Sequence, residues 1–157
     1  MFPLVPLDAV AGIRGESARL AAVVAAADQD APVAACPAWR VRDLAAHVGE
    51  VQRFWAWVLE RGSTEAPRKD EVPVDEPGGD LVTWLTGGTD LLVSAVQRLD
   101  PAAPTWAWWP GPHTVEQVAR HQVHEAAIHR WDAEETGGSE PEPFLSLIHI
   151  SEPTRPY

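Results

Sequence analysis

Glu125 and His129 stand four residues apart in the run His121-Gln122-Val123-His124-Glu125-Ala126-Ala127-Ile128-His129, which reads as helix. Residues at that spacing project from one helical face, about one turn apart. Followed backward, the same face passes through Gln122 and Val118 to the apolar Val115, so it turns toward a core. His47 lies one turn from both Leu44 and Val51 and faces the same way on an earlier helix. An ionisable group on a core face is costly unless it is paired or bound to a metal. Helical bundles that hold metals are built in this manner, from inward His and Glu on facing helices. Imidazole and carboxylate suit zinc and leave a fourth position open for water or substrate; manganese, iron or nickel also accept such donors. Spacing alone fits two other readings, a hydrogen-bonded polar cluster in the core or an exposed His–Glu pair.

Four segments carry the periodicity that would position these groups. The first runs from an N-cap at Asp8 to about Ala27, Ala-rich from Ala18 onward, and its Arg14, Glu16 and Arg19 suit a solvated face. The second runs from about Val41 to Glu60, with Leu44, Val48, Val51, Trp55 and Val58 as its apolar stripe and Arg61-Gly62 as its stop. Residues 63–79 are polar and rich in Pro and Gly, a connection and not an element. Asp80 caps the third helix, which reaches about Leu99 and carries Gly87-Gly88 in its middle, where a bend is expected. Trp106, Trp108 and Trp109 lie among prolines in the connection from Asp100 to His113. Thr114 and Gln117 form a capping-box signature for the fourth helix, about 115–134. No strand alternation is visible, so the expected class is all-α, a four-helix bundle.

Other residues carry weaker expectations. His121, one turn before Glu125, is a substitute ligand at most, and His124 is expected to be exposed or to support a ligand from behind. Asp43 and Glu50 flank His47 at distances that would let either orient it, although a solvated acidic face explains Glu50 as well. Cys36, before a proline, suits packing more than catalysis. The three tryptophans suit core or lid packing, with a pocket wall as the alternative.

The net charge of −11 argues against nucleic acid and against anionic membrane surfaces, both of which need a basic face. Cys36 is the lone cysteine and has no internal disulfide partner, which suits a reducing cytoplasm. Met1 to Pro6 lacks the basic start and apolar run of a signal peptide, and the longest apolar stretch, Leu20 to Ala27, falls far short of the ~20 residues of a membrane span. Oligomeric state is not readable from the sequence.

Two stretches together resemble a known family. Cys36-Pro37-Ala38-Trp39-Arg40-Val41-Arg42-Asp43-Leu44-Ala45-Ala46-His47 and His124-Glu125-Ala126-Ala127-Ile128-His129-Arg130-Trp131-Asp132-Ala133-Glu134 look like the signatures of the mycothiol-dependent maleylpyruvate isomerase family. The resemblance covers most of residues 5–136. It implies a DinB-like metal-binding bundle with metal ligands at His47, Glu125 and His129, and mycothiol as thiol cofactor. In the implied isomerisation the thiolate adds to the cis double bond of a small electrophile, the bond rotates, and the thiol leaves from the trans product. Related members use the thiolate for transfer to other electrophiles. Arg42, Arg120 and Arg130 are candidates for gripping a substrate carboxylate, although a surface or ion-pair role suits each of them better. The family's isomerase has a second, C-terminal domain, so residues 1–144 are expected to be the metal-binding domain alone. A noncatalytic metal-binding bundle, acting as a binding or regulatory module, is the alternative. Leu145 to Arg155 back-translates to a string resembling a DNA-sequencing adapter, so residues 145–157, His149 included, are expected to be an artefact that cuts the natural chain near Phe144.

Overall fold

The computed structural model of the protein describes residues 8–138 and 140–141. The opening Met1 to Pro6, the 145–157 tail and His149 lie outside the described residues. Four long helices dominate: α1 (Ala9–Ala26), α2 (Val41–Arg61), α3 (Leu81–Arg98) and α4 (Val115–Thr136). The fold is an all-α four-helix bundle, in which α2 packs chiefly on α3 and α1 on α4, with α1 also against α3.

The helix ends follow their side-chain chemistry. Asp8 accepts from the Ala11 amide at 3.0 Å, and Asp80 accepts from the amides of Val82 and Thr83, each at 3.2 Å. Thr114 and Gln117 close the capping box: the Thr114 amide donates to Gln117 Oε1 at 3.0 Å, and the Gln117 amide to Thr114 Oγ1 at 3.4 Å. Gly62 stops α2 at φ 62°, a left-handed turn that costs glycine little. No helix among the described residues is long and apolar enough to cross a membrane.

Short strands correct the reading that strands are absent. β1 (Pro32–Val33) pairs antiparallel with β2 (Cys36–Arg40), and β3 (Pro104–Thr105) with β4 (His113–Thr114). Pieces this short are below the length at which alternation shows in a sequence. They still matter for position. The first hairpin delivers Trp39 to the start of α2, and the second carries Trp106, Trp108 and Trp109 in its loop to the start of α4.

The core has two apolar clusters. One gathers Ile13, Trp55, Leu92 and Val118; the other gathers Leu20, Val24, Leu44, Leu85 and Ala133. A buried polar link ties three helices between them, with Gln52 Nε2 donating to Ser17 Oγ at 2.8 Å and Thr89 Oγ1 donating to Gln52 Oε1 at 2.9 Å.

α3 runs unbroken through Gly87-Gly88. Close approach is the reason for glycine at position 88. A Cβ there would meet the Gly49 carbonyl oxygen at 2.9 Å, and one on Gly49 would meet the Trp84 ring at 2.3 Å. Trp84 cannot readily yield, because its indole N–H donates to the Ala46 carbonyl at 3.0 Å. The Gly49→Ala variant should therefore lose stability by roughly 1–3 kcal/mol, with overpacking outweighing alanine's helix preference. Its urea midpoint should fall below wild type; an equal or higher midpoint would show that α2 and α3 can separate without cost.

The solvated face expected on α1 is also corrected. Glu16 Oε2 accepts from Arg130 Nε at 2.7 Å, and Arg19 donates to Glu134 at 2.9 Å, so two of its three charged residues bind α4. Arg14 does fit the expectation, exposed beside an exposed Asp90.

Candidate metal centre

α2 and α4 carry the three polar groups to one place. One ligand atom each from His47, Glu125 and His129 lies within 4.8 Å of the others. His129 Nε2 stands 3.7 Å from Glu125 Oε2, and the rings of His47 and His129 meet edge-on with centroids 5.2 Å apart. Trp39, brought by the first hairpin, packs on His47 at 5.0 Å. All three residues are partly buried, so the cluster is shielded on the bundle side and still reaches solvent.

Burial, and then the neighbouring His129, lower the pKa of His47 below its ordinary value, against the opposing pull of Glu125 and Glu50. Its neutral, lone-pair form is thereby favoured. Glu125 is held below the usual carboxylate range by the His129 imidazole beside it, helped by His121 and His47 against the cost of burial. Neutral imidazole and ionised carboxylate are the forms that bind a divalent cation.

The donor set fits such an ion. Ligands about 2.1 Å from a tetrahedral zinc stand about 3.4 Å from each other, close to the Glu125–His129 separation and a modest contraction from the widest one. His121 Nε2, His124 Nε2, His129 Nδ1 and both amide atoms of Gln122 are buried without a hydrogen-bond partner among the described residues. They lie on the stretch of α4 that carries Glu125 and His129.

Other expected residues fall elsewhere. Asp43 does not serve His47; its carboxylate accepts from the Arg40 amide at 2.8 Å and caps α2. His121 stays outside the three-residue cluster, with Nε2 3.6 Å from Glu125 Oε1. His124 is half-buried, its pKa lowered by burial and then by His121 and Arg120. Glu50 is exposed, as a solvated acid should be. Arg42 pairs with Asp30, and Arg130 is wholly buried between Glu16 and Glu134, out of reach of any substrate. Cys36 is exposed on β2, so packing does not explain it.

Sequence reasoning missed Asp132. Its Oδ2 lies 3.5 Å from His129 Nδ1, on the far side of the ring from Glu125. No hydrogen bond joins them at this separation, but the nearby negative charge favours the tautomer with its proton on Nδ1, which leaves Nε2 as the ligand atom. The i,i+3 spacing from His129 was the available signal.

A cavity of about 360 Å³ opens beside His47, walled by Phe54, Trp57 and Trp108 and bearing Glu50, Arg53 and Asp75. Trp106 and Trp109 pack partly against the core as expected, whereas Trp108 is 56% exposed and is a cavity wall.

No curated protein and no solved structure matches the chain. Residues 10–134 match the family described as the mycothiol maleylpyruvate isomerase N-terminal domain, a span that takes in both signature stretches and all three clustered residues. The chain belongs to the mycothiol maleylpyruvate isomerase N-terminal domain family.

Proposed function

We propose that His47, Glu125 and His129 hold one divalent cation, zinc by preference of the donor set, and that the domain uses it in mycothiol-dependent isomerase or S-transferase chemistry on a small electrophile. The convergence of their ligand atoms within 4.8 Å is the observation that carries the reading. A bound cation supplies the positive charge that lowers the pKa of a coordinating thiol and keeps it as thiolate. The chain's own residues do the rest. His47 and His129 offer neutral nitrogens, Glu125 offsets one positive charge, and Asp132 keeps His129 aimed. Trp39 packs against His47 and limits water on that side. With three protein ligands a coordination position stays open, and the cavity beside His47 gives a thiol room to reach it. The reducing cytoplasm is the compartment where such a free thiol persists, in keeping with lone Cys36.

Metal content tests the first step. The full chain, supplied with zinc and dialysed, should retain about one zinc per chain by mass spectrometry. The cobalt-loaded chain should then develop a thiolate charge-transfer band on addition of mycothiol. Zinc retained with no band would leave a closed, noncatalytic metal site; a chain that retains no metal would defeat the reading altogether.

Asp132→Asn should still bind zinc, with affinity lowered about 10–100-fold. Competition against a chromophoric chelator measures this, and unchanged affinity would remove Asp132 from the site.

A further inference from the structure

A second cavity, about 460 Å³, lies under the tryptophan loop, lined by Trp108, Trp109, Gln117, Arg120, His121 and His124. Trp108 is a wall of both cavities. Their charges differ. The cavity beside His47 bears the carboxylates of Glu50, Glu60 and Asp75 against one arginine. That arginine, Arg53, is partly taken up by the protein: its Nη1 donates to the carbonyls of Gly49 at 3.0 Å and Trp84 at 2.8 Å, and its guanidinium lies 3.5 Å from the Trp84 ring centre. An anion entering there meets the carboxylates of Glu50 and Asp75, a Glu60 already paired with Arg98, and an arginine whose Nη1 is taken up by backbone carbonyls.

The second cavity reverses this. No acidic residue lines it, and it carries Arg120, the Gln117 amide and two imidazoles. Arg120 has an acidic neighbour in Glu116, 3.9 Å from its Nε, but both side chains are about half exposed, and so loose a pair yields readily to a better acceptor. Guanidinium presents a planar fork of N–H donors that matches a carboxylate. Trp108 and Trp109 supply flat apolar walls for the carbon skeleton of a small acid. The cavity also borders the metal cluster, since His121, which lines it, stands 3.6 Å from Glu125.

We propose that this cavity is a carboxylate subsite, in which the acid group of a small organic anion binds Arg120 and Gln117 between Trp108 and Trp109. It deepens the metal–thiol reading by naming where an acidic electrophile docks, and rests on that reading for its biological role; the affinity for carboxylate does not.

Calorimetric titration of the full, chelator-treated chain tests it without any metal to bind the probe. Maleate should bind saturably, and its neutral diamide about tenfold or more weakly. Arg120→Gln should weaken maleate at least tenfold, while Arg14→Gln, at an equally exposed surface arginine, should leave it unchanged. Inorganic phosphate binding as tightly as maleate would reduce the site to plain charge attraction and overturn the proposal. So would the absence of saturable maleate binding, or equal binding by the Arg120 variant. Arg120-dependent binding in a chain that retains no zinc would uphold the subsite and defeat the metal reading; zinc retention without maleate binding would do the reverse.

Discussion

His129→Ala is expected to lower zinc affinity by more than the 10–100-fold lost with an orienting partner, because it removes a ligand and strands Asp132. Glu125→Ala should act as strongly for a different reason. It deletes the negative charge between two imidazoles, and with it the attraction that helps offset the cost of placing a dication in a half-buried site. His47→Ala removes the α2 donor, leaving Glu125 and His129 as a two-ligand site on one helix. All three variants should fold, since none of these residues belongs to the apolar clusters, and circular dichroism would verify it. Near-stoichiometric zinc in any folded variant, after dialysis that wild type survives, would show that the residue is no ligand. Zinc should also raise the melting temperature of wild type and not of the variants, because an ion that binds only the native state stabilises it by mass action.

The second large effect concerns stability. Arg130 is wholly buried, donating to Glu16 at 2.7 Å and to Glu134 at 2.6 Å, and Glu134 also accepts from Arg19. Removing one partner of a buried ion pair leaves the other charge in low dielectric without compensation. Arg130→Ala should therefore cost about 3–5 kcal/mol, a fall in melting temperature of roughly 10 °C or more for a domain of this size. Arg130→Met, which refills much of the volume, should recover little, because Glu16 and Glu134 would still face each other. Adding Glu16→Gln and Glu134→Gln to Arg130→Met should restore part of the loss. A melting temperature within about 3 °C of wild type for Arg130→Ala would mean that water or Arg19 replaces the guanidinium without cost.

The family signatures hold both outcomes in one heptad of α4. His129 and Arg130 are adjacent in sequence and point to different sides of the helix, one toward α2 and His47, the other toward α1 and Glu16. Asp132 and Glu134 divide in the same way, the first at His129 and the second at Arg130. Periodicity shows that such pairs diverge by about 100° per residue. It does not show which neighbouring helix each one meets.

That distinction separates what this sequence determined by itself from what tertiary structure decided. The helices and their ends were readable because their causes are local: Asp8, Asp80 and the Thr114–Gln117 pair satisfy amides within three residues, and Gly62 takes the turn that stops α2. His47, Glu125 and His129 each break an apolar face, an anomaly visible in one helix at a time, but it was the resemblance of the two signature stretches that joined them as a set. The two short hairpins, the Arg130 network, the carbonyl contacts of Arg53, and the choice of Asp132 over Asp43 beside a histidine were not readable. Each depends on which atoms of distant segments come within a few ångströms, and helical period constrains direction around an axis without fixing the position of the axis. Gly88 belongs with them: a helix-weakening residue in the sequence, it is the contact that lets α3 lie against Gly49 of α2 once the two are packed.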